Sequence, residues 1–138
     1  MTTIYLETSA VLTWLFGEPR SEEVLQTVNP ADVVVTSTLT YAEVSRALLR
    51  AETDTVLRGG EAQKLRGILE RARTGWMAMA VSDNVLARAS RPFPAEPVRT
   101  LDAIHLATAL EFTRAFADLR VLSFDRRIRD NAEALGIL

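Results

Sequence analysis

The sequence contains no cysteine and only one histidine, His105. Without cysteine the chain can form neither disulfide bonds nor thiolate metal sites. Zinc in proteins is held mainly by cysteine and histidine. The two scarcities together therefore argue against a zinc protein.

Long apolar runs are missing as well. No stretch approaches the roughly 18 apolar residues that a membrane-spanning helix requires. The N-terminus also lacks the basic segment and following apolar stretch of a secretion signal. We therefore expect a soluble, cytoplasmic protein without a membrane partner.

Lysine is nearly absent too. Lys64 is the only lysine, and the other 15 cationic side chains are arginines. Arginine is the better bidentate ligand for phosphate, although a GC-rich genome would produce the same bias. The net charge of −2 argues against a protein that binds nucleic acid through overall charge.

What is present is an ordinary globular composition. The 138 residues are 48% hydrophobic and 25% charged, which fits a single domain spanning residues 1–138. The predicted strands are 3–6, 32–36, 76–81 and 119–124, with 136–138 as a candidate edge strand; the predicted helices are 10–16, 20–28, 39–50, 61–73, 82–89, 100–117 and 126–135. This alternation predicts an α/β fold in which helices cover both faces of a mainly parallel sheet.

Four acidic residues lie close to the predicted strands. Glu7 directly follows the first strand, and Asp125 directly follows the last. Glu43 lies in the first turns of the helix after the second strand, and Asp102 lies in the first turn of the helix before the last strand. Ligands of open α/β sheets bind outside the carboxyl ends of the strands. We therefore expect the four side chains to meet at one rim.

Four carboxylates at one rim repel each other unless a cation lies between them. Mg²⁺ and Mn²⁺ are the natural candidates, because they prefer carboxylate oxygens and keep several waters. Such an ion can make a bound water nucleophilic and neutralise the charge that develops on a phosphate.

Each acid also has a purely structural explanation. Glu43 stands three residues after Thr40, as in a capping box. Asp102 would complement a helix dipole, and Asp125 would cap the last helix. Glu7 is the hardest to explain in this way, because glutamate has low strand propensity and here ends an apolar run. A shared rim explains all four residues at once.

Other polar residues near the rim have two interpretations each. Ser9 and Ser123 could hydrogen-bond a metal-bound water or serve only as turn residues. His105, one turn beyond Asp102 on the same helix face, could be catalytic or merely packed. The arginines after the last acid could bind phosphates or simply be solvated: Arg126, Arg127 and Arg129.

Four segments together resemble the motif blocks of PIN-domain ribonucleases, in particular the small VapC-type toxins of bacterial toxin–antitoxin pairs. They are YLETSAVL with Glu7, TYAEVSRAL with Glu43, LDAIHLATA with Asp102 and VLSFDRRI with Asp125. The segments occur in the family's order over essentially the whole chain. The resemblance implies a PIN-like three-layer α/β/α sandwich with a sheet of about five strands.

The resemblance also implies an activity and partners. The chain would be a Mg²⁺- or Mn²⁺-dependent endoribonuclease, the toxin of a type II pair, with RNA as substrate. A cognate antitoxin would inhibit it, and it would form a homodimer. Glu7, Asp102 and Asp125 would bind the metal. Glu43 would bind directly or through water and help to take a proton, with Ser9 in support.

One residue departs from the family pattern. The family normally has aspartate where this chain has Glu7. The longer side chain could shift or weaken the metal site, yet glutamate is still a competent ligand for a hard cation. The main alternative is therefore a catalytically degenerate PIN-like module that binds RNA or a partner.

Two other functions fit less well. A phosphoacceptor receiver domain needs a lysine at the rim after a late strand, whereas Lys64 lies in a helical pattern. A phosphatase of the D-x-D-x-T kind needs a second acid two residues after the first, where Ser9 stands. Two apolar features remain open between core and interface: the stripe of residues 39–73, and Trp14 with Phe16.

Overall fold

Helices and strands alternate along the chain, and the computed structural model describes all of residues 1–138. The strands are β1 (Thr3–Leu6), β2 (Val33–Ser37), β3 (Met77–Met79) and β4 (Arg120–Leu122); the helices are α1 (Thr8–Leu15), α2 (Ser21–Val28), α3 (Thr38–Thr53), α4 (Glu61–Arg73), α5 (Asp83–Ala89), α6 (Thr100–Phe112) and α7 (Arg126–Ala134). None of the helices is both long and apolar enough to cross a membrane.

The strands form one parallel sheet in the order β3-β2-β1-β4. Ile4 of β1 lies between Val34 of β2 and Arg120 of β4. β1 is therefore an inner strand, and all its residues are buried. Because the strands are parallel, the residues that follow them emerge at the same edge of the sheet.

Helices cover both faces of this sheet. Tyr5 and Val121 belong to a core of 15 buried residues that includes side chains of α5, α6 and α7. Ile4 and Leu6 belong to a second core of 10 buried residues that includes side chains of α1, α2, α3 and α4. The split follows from the two-residue period of a strand. The predicted α/β/α sandwich with a parallel sheet is confirmed.

The second core also shows where the apolar stripe of residues 39–73 lies. Leu48 and Leu69 are buried in this core, and Trp14 and Phe16 are partly buried against it. The stripe therefore packs inside the fold and does not project from it.

Several predicted boundaries are wrong. The sheet has four strands, because the only backbone bond from the chain's last residues to β4 runs from the Val121 N–H to the Ile137 carbonyl, at 2.7 Å. β3 has three residues, because it pairs only with residues 35–37 of β2, where that strand ends. α6 ends at Phe112 because the next backbone bonds tighten into turns, such as that from Ala115 N–H to Phe112 carbonyl.

Candidate active site

Glu7 stands at the point where β1 ends and α1 begins. Its backbone is still extended, with φ −87° and ψ 155°, and its side chain accepts a hydrogen bond from the Ser9 N–H at 3.1 Å. Glu7 therefore caps α1, which is why the helix begins at Thr8 and not at residue 10. The side chain is only 5% exposed, so its charge requires partners inside the protein.

Two serine hydroxyls supply those partners. Ser9 Oγ and Ser123 Oγ each donate to Glu7 Oε1 at 2.5 Å. Each hydroxyl in turn accepts a backbone N–H, from Phe124 at 2.8 Å and from Asp125 at 3.0 Å respectively. We call this arrangement the serine clamp: Glu7, Ser9 and Ser123. It joins the β1–α1 turn to the β4–α7 turn and leaves Glu7 Oε2 with one unused lone pair.

Asp125 caps the N-terminus of α7, as we expected from its position before the last predicted helix. Its Oδ1 accepts the backbone N–H groups of Arg127 at 2.9 Å and Ile128 at 3.3 Å. No protein group donates to Oδ2, which is free to bind a ligand. The cap and a functional role are therefore compatible, because they use different oxygens.

Asp102 lies in the first turn of α6 and is the least satisfied of the four acids. Its Oδ2 is buried without a hydrogen-bond partner, and the nearest cation, Arg99 Nε, is 3.6 Å away. Burial and the negative charges of Asp125 and Glu7 raise the pKa of Asp102, against the lowering effect of Arg99. This buried oxygen lies near other carboxylates, accepts no hydrogen bond and forms an ion pair only with the exposed Arg99 side chain.

Glu43 is held by a buried histidine. Glu43 Oε1 accepts from Thr8 Oγ1 at 2.7 Å and lies 2.5 Å from His105 Nε2. On its other side, His105 Nδ1 lies 2.8 Å from the Tyr5 hydroxyl. Burial alone would raise the pKa of Glu43, but the bonds from His105 and Thr8 outweigh it and hold that pKa below its ordinary value. Glu43 is therefore ionised at neutral pH.

The capping-box explanation of Glu43 is wrong. α3 is capped by Ser37, whose hydroxyl accepts the Leu39 N–H at 3.0 Å. The hydroxyl of Thr40 instead lies 2.8 Å from that of Thr36. Since the Glu43 carboxylate turns towards α6 and not back to its own helix end, its position has no local explanation.

The structure brings all five predicted site residues into one cleft of about 460 Å³. Its walls carry the four acids and Ser9, and also one cation and several neutral groups: Glu7, Glu43, Asp102, Asp125, Ser9, Thr8, Leu12, Arg99, Thr100 and Leu101. The sequence-based prediction did not single out Thr8 and Tyr5, which orient Glu43 and His105. The only available signal was their position on either side of Leu6 and Glu7.

The cleft offers the donors that a hard cation prefers. As the side chains stand, no group of three His, Cys, Asp or Glu residues is arranged to hold a metal ion. Asp102 Oδ2, which accepts no hydrogen bond, and the unused lone pairs of Glu7 and Asp125 fit Mg²⁺ or Mn²⁺.

Two of the arginines after Asp125 are occupied within the protein. Arg129 donates to the Ser123 carbonyl at 2.9 Å and so supports the serine clamp from behind. Arg126 lies 3.7 Å from Asp130 in an exposed pair. The structure therefore favours a structural role for Arg129 over phosphate binding.

Comparisons with known proteins agree on one family. A model described as PIN domain matches residues 4–134. Ribonuclease VapC46 of Mycobacterium tuberculosis is 38% identical over an alignment 138 residues long, which covers 99% of this chain and 95% of that protein. Ribonuclease VapC35 of the same species is 31% identical over an alignment 136 residues long, which covers 97% of this chain and 93% of that protein.

A solved structure has the same fold. The crystal structure of Mycobacterium tuberculosis VapC20, described as a sarcin–ricin loop cleaving toxin, matches 98% of this chain and 96% of its own, with a TM-score of 0.64 and 20% identity. At that identity the likeness concerns the fold alone. The family match and the relatives of similar length carry the assignment further: the chain belongs to the PIN-domain family and, within it, to the VapC group.

Proposed function

We propose that the chain is an endoribonuclease that requires Mg²⁺ or Mn²⁺ and acts as the toxin of a type II toxin–antitoxin pair. One observation carries the proposal: acids from four separate parts of the chain line one cleft, where a buried carboxylate oxygen of Asp102 accepts no hydrogen bond. The relatives of this chain, VapC46 and VapC35, are named ribonucleases, which supports RNA as the substrate.

Glu7, Asp102 and Asp125 are the residues that would hold the ion. A divalent cation bound there supplies an activated water and neutralises negative charge that develops on the phosphate. Each of the three residues is held from behind: Glu7 by the serine clamp, Asp125 by the N-terminus of α7 and Asp102 by its place in α6.

Glu43 is the residue we assign to proton transfer. Its lowered pKa keeps it ionised, so it can accept a proton from the attacking water. His105 and Thr8 fix its Oε1, which leaves Oε2 for the reaction. His105 is a positioning residue in this scheme, because it is 1% exposed and reaches the substrate only through Glu43.

The serine clamp holds the side chain of Glu7, the residue that stands where the family normally has aspartate. Glu7 has one more methylene group than aspartate, and its Oε1 is drawn to Ser9 and Ser123 at 2.5 Å. These bonds fix the end of the longer side chain at the cleft wall. We therefore propose that Glu7 remains a working ligand.

The partners and the location follow from the same proposal. The relatives are VapC proteins, so we propose a cognate antitoxin that blocks the cleft, a homodimer as the active form and action in the cytoplasm. Co-expression with the product of the adjacent gene should restore growth that this chain arrests when expressed alone. Uninhibited growth with the chain alone would contradict the toxin role.

The enzymatic part is tested by titrating Mn²⁺ and Mg²⁺ into the purified chain with labelled RNA. We expect cleavage that depends on the metal, disappears with EDTA and is lost in Asp102→Asn, which keeps size but removes the charge. A matched control is Asp54→Asn, an exposed acid that ends α3. Full activity in EDTA would exclude the metal-dependent mechanism.

Two observations favour a second candidate, the degenerate binding module: Glu7 itself and the absence of a ready metal-binding group. Glu7→Asp separates the two functions. Cleavage by the natural chain supports the enzyme, whereas RNA binding without cleavage, together with cleavage gained in Glu7→Asp, would establish the degenerate module.

A further inference from the structure

A second cleft adjoins the acidic one on the α3 side. It has a volume of about 370 Å³, and two of the six residues in its walls are arginines: Leu39, Ala42, Glu43, Arg46, Arg50 and Leu101. Glu43 and Leu101 also line the acidic cleft, so the two clefts are neighbours that share a wall.

The two arginines stand in line with Glu43. Glu43, Arg46 and Arg50 are at positions i, i+3 and i+7 of α3, which places them on one face of the helix. Arg46 and Arg50 are about 6 Å apart along the helix axis. A strand that enters the acidic cleft over Glu43 therefore meets both guanidinium groups in succession.

Neither arginine is used within the protein. Arg46 and Arg50 have exposed side chains that form no ion pair, in contrast to Arg66, which pairs with Glu52 at 2.6 Å. They donate no hydrogen bond either. Arg50 lies in the last turn of α3, where the helix dipole favours a cation, but that explanation does not extend to Arg46 in the middle of the helix.

The acidic cleft itself offers few cationic side chains to a nucleic-acid strand. It presents four carboxylates and a single cation, Arg99, which lies beside Asp102. Phosphates on either side of the reacting bond are therefore repelled unless cations lie close by. Arginine supplies a planar pair of donors that matches phosphate oxygens.

We propose that Arg46 and Arg50 form a phosphate-binding subsite that holds single-stranded RNA beside the cleavage site, on the α3 side. The proposal rests on the proposed function and adds to it where the strand runs and which side chains grip its backbone. The ligand is the sugar–phosphate backbone, so the subsite contributes affinity without sequence preference.

Equilibrium binding tests the subsite without requiring cleavage. A fluorescently labelled oligoribonucleotide is titrated with the chain in an Asp102→Asn background, at several salt concentrations and a fixed Mg²⁺ concentration. In Arg46→Gln/Arg50→Gln we expect affinity at low salt to fall about tenfold and the slope of log K against log salt to decrease by about 1.4, since each phosphate contact contributes about 0.7. Arg46→Lys/Arg50→Lys retains the charge and should retain the slope.

The matched control removes the same charge at the opposite end of the molecule. Arg114 follows the far end of α6 and Arg120 begins β4, so Arg114→Gln/Arg120→Gln leaves both clefts intact. An equal loss of affinity in both double variants would show a general effect of net charge and overturn the subsite. So would an unchanged salt slope in Arg46→Gln/Arg50→Gln. An acidic peptide titrated in parallel gives the last outcome: if the variant loses affinity for the peptide but not for RNA, the subsite is overturned.

The two proposals fail separately. If the chain with all its acids does not cleave RNA in Mn²⁺ while the Arg46/Arg50 variant still loses affinity and slope, the enzymatic proposal is wrong and the subsite stands. If cleavage is robust and binding is unaffected by the two substitutions, only the subsite is wrong.

Discussion

At the scale of single residues, Asp102 couples folding to pH. Its folded-state pKa is raised, so the folded chain holds the proton more tightly than the unfolded chain does. The stability that this pKa difference contributes is fully present below the unfolded pKa of about 3.9. It is lost as pH rises through the folded pKa. Asp102 therefore destabilises the metal-free protein at neutral pH.

Removing that charge should stabilise the protein. We expect Asp102→Asn to melt about 3 °C above the natural chain at pH 7 in EDTA, with a smaller difference near pH 3.5, as measured by circular dichroism. Mn²⁺ should raise the melting temperature of the natural chain more than that of the variant, because only the natural site has its full set of ligands. A variant that melts lower at pH 7 would contradict the prediction.

The serine clamp offers a second test at this scale. Ser123→Ala removes one of the two hydroxyl donors to Glu7 Oε1 and the acceptor of the Asp125 N–H. We expect the free energy of unfolding to fall by about 2 kcal/mol, measured by urea denaturation. Ser45→Ala is the control, because Ser45 is exposed in α3 and forms no side-chain hydrogen bond; an equal loss there would mean that the clamp adds nothing.

At the scale of elements, the residue that caps the N-terminus of α7 also lines the acidic cleft. Asp125 binds two backbone N–H groups of α7 through Oδ1 alone. Asparagine keeps a capping oxygen at that place, whereas alanine does not. The two substitutions therefore separate capping from charge.

We expect Asp125→Ala to lower the free energy of unfolding by about 1 kcal/mol relative to Asp125→Asn, and both variants to lose RNA cleavage. Denaturation curves and a cleavage assay on the same preparations provide the comparison. Activity that survives in Asp125→Asn would remove Asp125 from the metal ligands without affecting its role as a cap.

The order of the elements could be predicted, but many of their ends could not. Strands such as β1 are short apolar runs because helices cover both of their sides, and this leaves a clear pattern in the sequence. The ends depend on distant partners: β3 stops where β2 has no further residue to pair. The sequence of β3 alone gives no sign of that limit.

The same distinction applies to the site. That the four acids meet could be predicted, because Glu7 and Asp125 follow strands whose parallel arrangement brings their ends together. Glu43 and Asp102 lie in the first turns of helices connected to the same sheet. The contacts of Glu43 could not, because Thr8 and His105 lie 35 and 62 residues away along the chain. For Glu43 the local capping pattern indicated a bond that the tertiary contacts replaced.

At the scale of the whole molecule, one sheet separates two cores. Adjacent residues of β1, such as Ile4 and Tyr5, belong to different cores. Neither core can lose its packing without exposing one face of the same strands. That residues 1–138 form one domain stays a prediction, and cooperative unfolding is its test.

We expect a single unfolding transition in urea that coincides for two probes, tryptophan fluorescence and far-ultraviolet circular dichroism. Trp14 and Trp76, whose rings lie 6.2 Å apart, report on the core that includes α1 to α4, whereas circular dichroism reports on all helices. Two separated transitions would mean that the cores fold independently.

The serine clamp determines when, during synthesis of the chain, the proposed nuclease site can assemble. Glu7 and Ser123 are 116 positions apart, and translation proceeds from the first residue onwards. A ribosome therefore completes β1 and Ser9 long before it adds Ser123, the second hydroxyl partner of Glu7, so an unfinished chain carries no assembled site. We expect nascent chains stalled before Ser123 to leave RNA intact; cleavage by such chains would show that the late residues are dispensable.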